Sequence, residues 1–376
     1  MSKHHHNRPP QPRDQGTVAA EPRGTMVADS VAQHRQTRTG PREKRLALLK
    51  GIEQDRASHV ITYVTSSRVR LNAQIAMDVI RLFREILGQM GHIEKLDLVL
   101  ITRGGNILAP LRLMSLLREY SKNVNVLVPY MAHSAGTLLA LGADEIVMGA
   151  MGELGPVDPS VANQFNPVLD PQDIQNDSKT IPRARIPISV EDVTSYLDFA
   201  KSHAGLDAAG MAQAYSALTG QVHPLALGNI LRTHKLIRHL TRTLLLMHMD
   251  ETNDRERLEA IVQALTEKLY SHEYAITRDE ASRLGLKVAK PSDATEGHLW
   301  ELYRLYEESL GIDRPIDPAR ELGAERQKYL CFDLAAIEAE NAAYFFCSRG
   351  LATHKGTTDF EFGLDVQEWE RLEMKR

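Results

Sequence analysis

Hydrophobic runs without polar alternation recur between helical segments in the first half of the chain. The clearest are residues 96–101, 124–128 and 145–148. Between them, apolar residues return at helical spacing, as in Asn72 to Met90 and Leu108 to Tyr120. Strands that are buried on both faces read as continuous apolar runs, and parallel strands need helical connections. The pattern therefore predicts an α/β fold with a parallel sheet covered by helices.

The 376 residues exceed what one compact core usually holds. Residues 1–42 contain five prolines and few clustered apolar side chains, which predicts a disordered tail before a basic helix from Arg42 to Gln54. Residues 43–290 are the predicted α/β domain, interrupted after Gly149 by a loop rich in Gly, Pro, Asp and Asn. Residues 291–376 are predicted to be an appended α+β unit, with one helix, two β-prone runs and a tail that contains tryptophan.

Bulk composition excludes several classes of protein. The net charge of −4 and the pI near 6.4 give no electrostatic basis for binding nucleic acid. No apolar run reaches the length of about 18 residues that a membrane helix needs, and the N-terminus lacks the apolar centre of a signal peptide. Cys331 and Cys347 fit no metal-binding spacing. We therefore expect a cytoplasmic protein with no metal or cofactor.

Ser134 stands between the hydrophobic run 124–128 and a helix of small residues, Ala135 to Leu141. A serine at such a junction is raised out of the sheet, and the N–H of Ala135 points into the same space. This is the geometry of an activated nucleophile with half of an oxyanion hole. The alternative is a serine that only caps its helix. His133 precedes the serine, but successive side chains diverge, so its imidazole is not expected to reach the hydroxyl.

Gly104 and Gly105 follow the run 96–101, as Ser134 follows the next run. Functional residues of parallel sheets gather at the carboxyl ends of the strands. Gly105 is therefore the candidate for the second oxyanion donor. The alternative is that the glycine pair only makes a tight turn.

Four segments in order resemble one known superfamily: residues 98–105, 131–137, 143–148 and 152–159. Together they resemble the ClpP/crotonase superfamily on its signal-peptide-peptidase side, and most of all the serine dehydrogenase proteinase family. That family name refers to a supposed protein substrate and indicates no redox chemistry. The resemblance departs at Arg103, where the family usually has proline, and in the lack of a membrane segment that many members carry.

The resemblance implies a ClpP/crotonase-like fold and an ATP-independent serine peptidase that forms an acyl-enzyme on Ser134. By similarity to the Ser–Lys dyad of signal peptide peptidases, Lys179 becomes the candidate base. Burial would have to lower the pKa of its amine from about 10.4 towards about 7–8. Lys201 and His223 are alternative bases. Gly104, Gly155 and Pro156 are expected to shape a groove for an extended peptide.

Two other functions stay open at this point. A crotonase-like enzyme would use the same oxyanion hole on an acyl-CoA without a nucleophile. A catalytically silent adaptor would keep the fold and bind partner proteins through residues 291–376. The resemblance also implies a homo-oligomer, since these folds generally assemble as rings or stacked trimers, and a protein or peptide as substrate.

Overall fold

One sheet of eight strands organises the part of the chain that the structure describes. The structure is a computed structural model that describes residues 23–69, 71–157, 160–161, 164–167, 186, 188–267, 274–355 and 360–372. Its strands in chain order are β1 (His59–Thr65), β2 (Ile93–Ile101), β3 (Ser121–Val128), β4 (Met131–Ala132), β5 (Glu145–Met148), β6 (Glu153–Leu154), β7 (Ser160–Val161), β8 (Ile188–Ser189), β9 (Ile276–Thr277), β10 (Val288–Ala289), β11 (Gln327–Ala339), β12 (Ala342–His354) and β13 (Phe360–Arg371).

Helices cover both faces of this sheet. They are α1 (Arg23–Arg56), α2 (Val79–Met90), α3 (Ala109–Tyr120), α4 (Ala135–Leu141), α5 (Val190–Asp198), α6 (Ala208–Gln221), α7 (Pro224–Leu245), α8 (Arg255–Glu267), α9 (Arg278–Arg283), α10 (Asp293–Leu310) and α11 (Pro318–Leu322). One turn of π-helix, Phe199–His203, follows α5 directly.

The strand order is β10-β5-β3-β2-β1-β11-β12-β13. The pairs from β10 to β1 are parallel, and the pairs from β1 to β13 are antiparallel. The parallel sheet predicted from the apolar runs is thus confirmed. The shorter strands β4, β6 and β9 form a separate sheet beside the carboxyl ends of β2 and β3.

Alternate residues of the parallel strands are buried on opposite faces. Ile61, Leu98 and Val126 belong to a core cluster with residues of α2 and α3. Their neighbours Val60, Val99 and Leu127 belong to a second cluster with residues of α1 and α10. Because no face of these strands meets water, their sequences show no polar alternation.

The three C-terminal strands extend the main sheet. β11 pairs with β1, with Thr62 opposite Glu338, so residues on both sides of position 290 share one sheet. Two of these strands correspond to the β-prone runs of the sequence. The third, β13, covers the tail around Trp369 and was not predicted.

Helix α1 begins at Arg23, well before the start at Arg42 that the sequence predicts. Its side chains Arg38 and Arg45 are almost fully buried. Arg45 Nε lies 2.5 Å from the Glu338 carboxylate, and Arg38 bonds both Asp333 and Glu370. These ion pairs join α1 to strands nearly 300 residues away, so no local pattern could reveal them.

Helices α5 to α8 lie between β8 and β9. α6 has no buried residue, whereas α7 has eight. Of these, Ile237, Leu240 and Leu244 belong to the main core. Among the described residues, no helix combines the length and the apolar character needed to cross a bilayer.

Replacing Arg45 by methionine tests the buried ion pair under α1. Arg45 and Glu338 are each 1% exposed, so Arg45→Met leaves a buried carboxylate without its nearest cation. We expect a loss of about 3–5 kcal/mol in the free energy of unfolding, measured by urea denaturation. The exposed pair of Lys50 with Glu340 provides the control, since Lys50→Met should change stability by less than about 1 kcal/mol. Equal effects of the two substitutions would contradict this account.

Candidate functional site

Ser134 lies at a sharp backbone turn between β4 and α4. Its φ of 51° and ψ of −111° fall in a region that residues other than glycine rarely adopt. Such a conformation persists only where the surrounding structure enforces it, and it is commonest at functional sites. Ala135 opens α4, so its N–H lies in the first turn, where helical N–H groups have no partner within the helix.

A second loop is held against this turn by backbone pairing. Thr102 N–H donates to Met131 O at 2.9 Å, and His133 N–H donates to Thr102 O at 3.0 Å. These bonds place Arg103, Gly104 and Gly105 beside the serine turn. They arise because β4 continues the chain from β3 alongside the end of β2.

Gly104 contacts the serine turn so closely that no side chain fits. Its φ is 108°, and a Cβ built on it would lie 2.8 Å from Ser134 Cβ and 3.1 Å from Ala135 N. Two reasons therefore require glycine at position 104: the positive φ is unfavourable for other residues, and there is no space for a side chain.

The Gly105 N–H faces away from the loop that supports it. Ile75 N–H donates to Gly104 O at 2.8 Å, and Asn106 N–H donates to Ile75 O at the same distance. In a trans peptide the C=O of one residue and the N–H of the next point in opposite directions. The Gly105 N–H is thus directed to the side opposite Ile75. The sequence had placed Ile75 in a helix, but α2 begins only at Val79 and Ile75 forms a β-bridge with Gly105.

Three buried threonines hold the loops together by hydrogen bonds. Thr65 Oγ1 donates to Thr102 Oγ1 at 2.7 Å, and Thr102 Oγ1 accepts from Gly104 N–H at 3.0 Å. Thr137, fully buried in α4, lies 2.8 Å from both Ala132 O and Gly155 O. The serine turn, the glycine loop and the segment after β6 therefore form one hydrogen-bonded unit.

A cavity of about 460 Å³ opens over Ser134. His133 Nε2 lies 2.9 Å from Glu153 Oε1, and the imidazole packs against Gly155, where an added Cβ would meet the ring at 3.1 Å. The described residues that line the cavity are Arg103, Tyr130, Met131, His133, Ser134, Glu153 and Pro156.

The C-terminal part of the chain contacts two residues that line this cavity. Arg103 is paired with Asp313, which follows α10, at 3.0 Å. Tyr130 packs against Tyr303 of α10 with ring centroids 4.7 Å apart. Burial raises the pKa of the Tyr130 phenol, and the nearby carboxylates of Asp313 and Glu153 add to the effect. The phenol is thus a neutral hydrogen-bonding group at physiological pH.

Of the three candidate bases, two lie among the described residues, and both are exposed. Lys179 is outside the described residues. Lys201 is exposed on the π-helical turn, and His223 is exposed at the start of α7, where its Nδ1 accepts from Leu225 N–H at 3.2 Å. Neither Lys201 nor His223 is among the described residues that line the cavity over Ser134. The His223 ring stacks on Phe165 with centroids 5.0 Å apart.

One group of metal-type ligands occurs among the described residues, far from Ser134 in the sequence. Donor atoms of His34, Asp333 and Cys347 lie within 4.8 Å of one another. Arg38 already places its positive charge on Asp333, and burial raises the pKa of the Cys347 thiol to about 12. A protonated thiol and a carboxylate paired with arginine favour a structural ion pair over a cation site.

Sequence reasoning missed two carboxylates in or near this cavity. Glu153 lies in the segment of which only Gly155 and Pro156 were expected to shape the groove, and its pairing with His133 depends on β6 running beside β4. Asp313 belongs to the region assigned to an appended unit. Arg103 did give a signal, because the resemblance to the family departs at this residue.

The resemblance inferred from the motifs is confirmed by comparison with known proteins. The ClpP-like SDH-type serine proteinase family matches residues 31–181. This range contains both the serine turn and the glycine loop.

Two uncharacterized proteins of Methanocaldococcus jannaschii are similar to the chain. One is 27% identical over 209 residues, which are 56% of this chain and 58% of that protein. The other is 23% identical over 278 residues, 71% of this chain and 78% of that protein. The chain thus spans less than two thirds of the length of the first relative.

Two solved structures are similar to the chain at low TM-scores. One is a mutant of the 1510-N membrane-bound stomatin-specific protease, with 16% identity and a TM-score of 0.34, covering 68% of this chain and 87% of that chain. The other is a probable enoyl-CoA hydratase/isomerase from Mycobacterium abscessus, with 14% identity and a TM-score of 0.26, covering 67% of this chain and 72% of that chain. At these TM-scores neither likeness bears on function.

Gly104→Ala tests the contact between the two loops. The new methyl group would clash with Ser134 Cβ and His133 O, both 2.8 Å away, so the serine turn must shift. We expect labelling of the protein by a fluorophosphonate probe to slow at least about tenfold, while the circular dichroism spectrum stays that of the wild type. Gly228→Ala in α7, where nothing lies within 4 Å of the added carbon, should label at the wild-type rate. Unchanged labelling of Gly104→Ala would show that the loop contact does not shape the site.

Proposed function

We propose, from the match of residues 31–181 to the ClpP-like SDH-type serine proteinase family, that the chain is a serine peptidase with Ser134 as nucleophile. The family match supports a serine peptidase in general. The observation that carries the specific assignment is the packing of Gly104 against a serine held at positive φ. A serine that only caps a helix needs neither feature.

The proposed reaction begins with attack of Ser134 Oγ on the carbonyl carbon of a peptide bond. The hydroxyl proton passes to the base, and the carbonyl oxygen becomes an oxyanion that accepts from the N–H groups of Gly105 and Ala135. The C–N bond then breaks, and the departing amine takes the proton. Water hydrolyses the resulting ester on Ser134 and restores the hydroxyl. None of these steps consumes a nucleotide, in keeping with an ATP-independent endopeptidase.

Lys179 is the proposed base of a Ser–Lys dyad, on its similarity in position to the lysine of signal peptide peptidases. The substrate is proposed to be a protein or peptide that lies extended along the segment of Gly155 and Pro156. Support for this path comes from Pro156, which lines the cavity, and from Thr137, which ties Gly155 to the serine turn. Assembly as a homo-oligomer, and a partner bound through residues 291–376, are further proposals from the family resemblance.

Ser134→Ala tests the nucleophile. The variant should lose at least about 10³-fold of the rate of hydrolysis of an unfolded protein substrate, because no other group can form the ester. Ser216→Ala, an exposed position on α6, is the matched control and should keep full activity. Hydrolysis that survives in purified Ser134→Ala would refute the assignment. Turnover of an acyl-CoA that survives there would instead favour crotonase-like chemistry.

Lys179→Met tests the base separately. Loss of the amine should slow hydrolysis about 10²–10⁴-fold, the usual contribution of general acid–base catalysis, without loss of folded structure. Lys235→Met, at an exposed lysine of α7, is the control and should retain activity. If Lys179→Met keeps the wild-type rate while His223→Gln loses it, the dyad is wrong and the histidine is the base.

A further inference from the structure

We propose that the cavity over Ser134 binds a lysine or arginine side chain of the substrate, and that Glu153 determines this specificity. The proposal rests on the proposed peptidase function and names the class of peptide that the site accepts. It follows from the position of Glu153, from the balance of charge around the cavity and from the chemistry of the cavity wall.

Glu153 is held firmly at the edge of the cavity. Its backbone lies in β6, paired with Met131 of β4 on one side and with Thr277 of β9 on the other. Its N–H donates to Tyr130 O at 2.7 Å. The side chain is 30% exposed and lines the same cavity as Ser134. The carboxylate is thus oriented before any substrate arrives.

Among the described residues, two other carboxylates near Tyr130 of the cavity wall are paired with arginines. Asp313 is paired with Arg103 at 3.0 Å, and Glu307 is paired with Arg314 at 3.3 Å. Glu153 instead bonds the imidazole of His133 at 2.9 Å. Glu153 thus lines the cavity without an arginine or lysine partner among the residues that the structure describes.

The rest of the wall suits a long cationic side chain. Met131 and Pro156 offer apolar surface for the aliphatic stem, and the neutral Tyr130 phenol lies near the Glu153 carboxylate. Lysine and arginine commonly pack their stems on apolar groups while the charged end meets a carboxylate. An acidic side chain would be repelled by Glu153, and an apolar side chain would bury that carboxylate without compensation.

The test compares fluorogenic peptides that differ at one residue beside the cleaved bond, with lysine, methionine or glutamate at that position. The wild type should cleave the lysine peptide with a kcat/KM at least about tenfold above that of the methionine peptide, and the glutamate peptide most slowly. Glu153→Gln keeps the hydrogen-bond acceptor for His133 and removes the charge. It should abolish the preference for lysine, because kcat/KM falls for the lysine peptide and rises for the methionine and glutamate peptides.

Three further variants sharpen the test. Glu153→Asp should retain part of the preference, because it keeps the charge at a shorter reach. Arg103→Ala frees the Asp313 carboxylate and should increase the preference for lysine severalfold. Glu94 is an exposed residue of β2 that pairs with Lys122, and Glu94→Gln should behave as the wild type. A preference that is unchanged in Glu153→Gln, or that falls in Arg103→Ala, would overturn the proposal.

Fluorophosphonate labelling of each variant distinguishes a failure of the proposed specificity from a failure of the proposed peptidase function. Labelling of Ser134 in every variant, together with no preference for lysine in the wild type, would overturn the specificity and leave the peptidase intact. Absence of labelling at Ser134 in the folded wild type would overturn the peptidase function, and the specificity would fall with it.

Discussion

The pairing between the end of β2 and strand β4 is the interaction on which the candidate site depends. Two backbone hydrogen bonds, from Thr102 to Met131 and from His133 to Thr102, bring two loops together that are about thirty residues apart in the chain. Without them Gly104 would not contact Ser134, and the N–H groups of Gly105 and Ala135 would belong to unrelated turns. The strained backbone at Ser134 is maintained by the same bonds and by the buried hydroxyl of Thr137. Preorganised donors of this kind are usually the largest single contribution to catalysis of acyl transfer.

The C-terminal residues contribute to this site as well as to the sheet. Strands β11 to β13 extend the sheet beyond β1, and buried arginines of α1 pair with their carboxylates. The same region supplies Asp313 and Tyr303, which contact Arg103 and Tyr130 at the cavity. The arginine that departs from the family pattern therefore has its partner in the C-terminal part of the chain. This pairing gives the departure a physical reason, since a proline at that position could not make the ion pair.

The parallel strands and the serine turn could be predicted because their signals are local. Runs such as 96–101 are apolar throughout, and glycine and serine follow the strand ends directly. The start of α2 was wrong because Ile75 has helical spacing but pairs with Gly105 across the fold. The length of α1 was missed because polar residues such as Arg38 are buried there only by carboxylates from distant strands. Glu153 was overlooked for a similar reason, since its role depends on which strand lies beside β6.

The central claim is that Ser134 is an activated nucleophile, and the site of covalent modification tests it most directly. Native protein would be treated with diisopropyl fluorophosphate, digested and mapped by tandem mass spectrometry, with urea-unfolded protein as the control. The account predicts one residue carrying a diisopropylphosphoryl group, Ser134, in the native protein and no adduct in the unfolded chain, where the loops are apart. An adduct on another residue, or an unmodified Ser134 in the native fold, would contradict it.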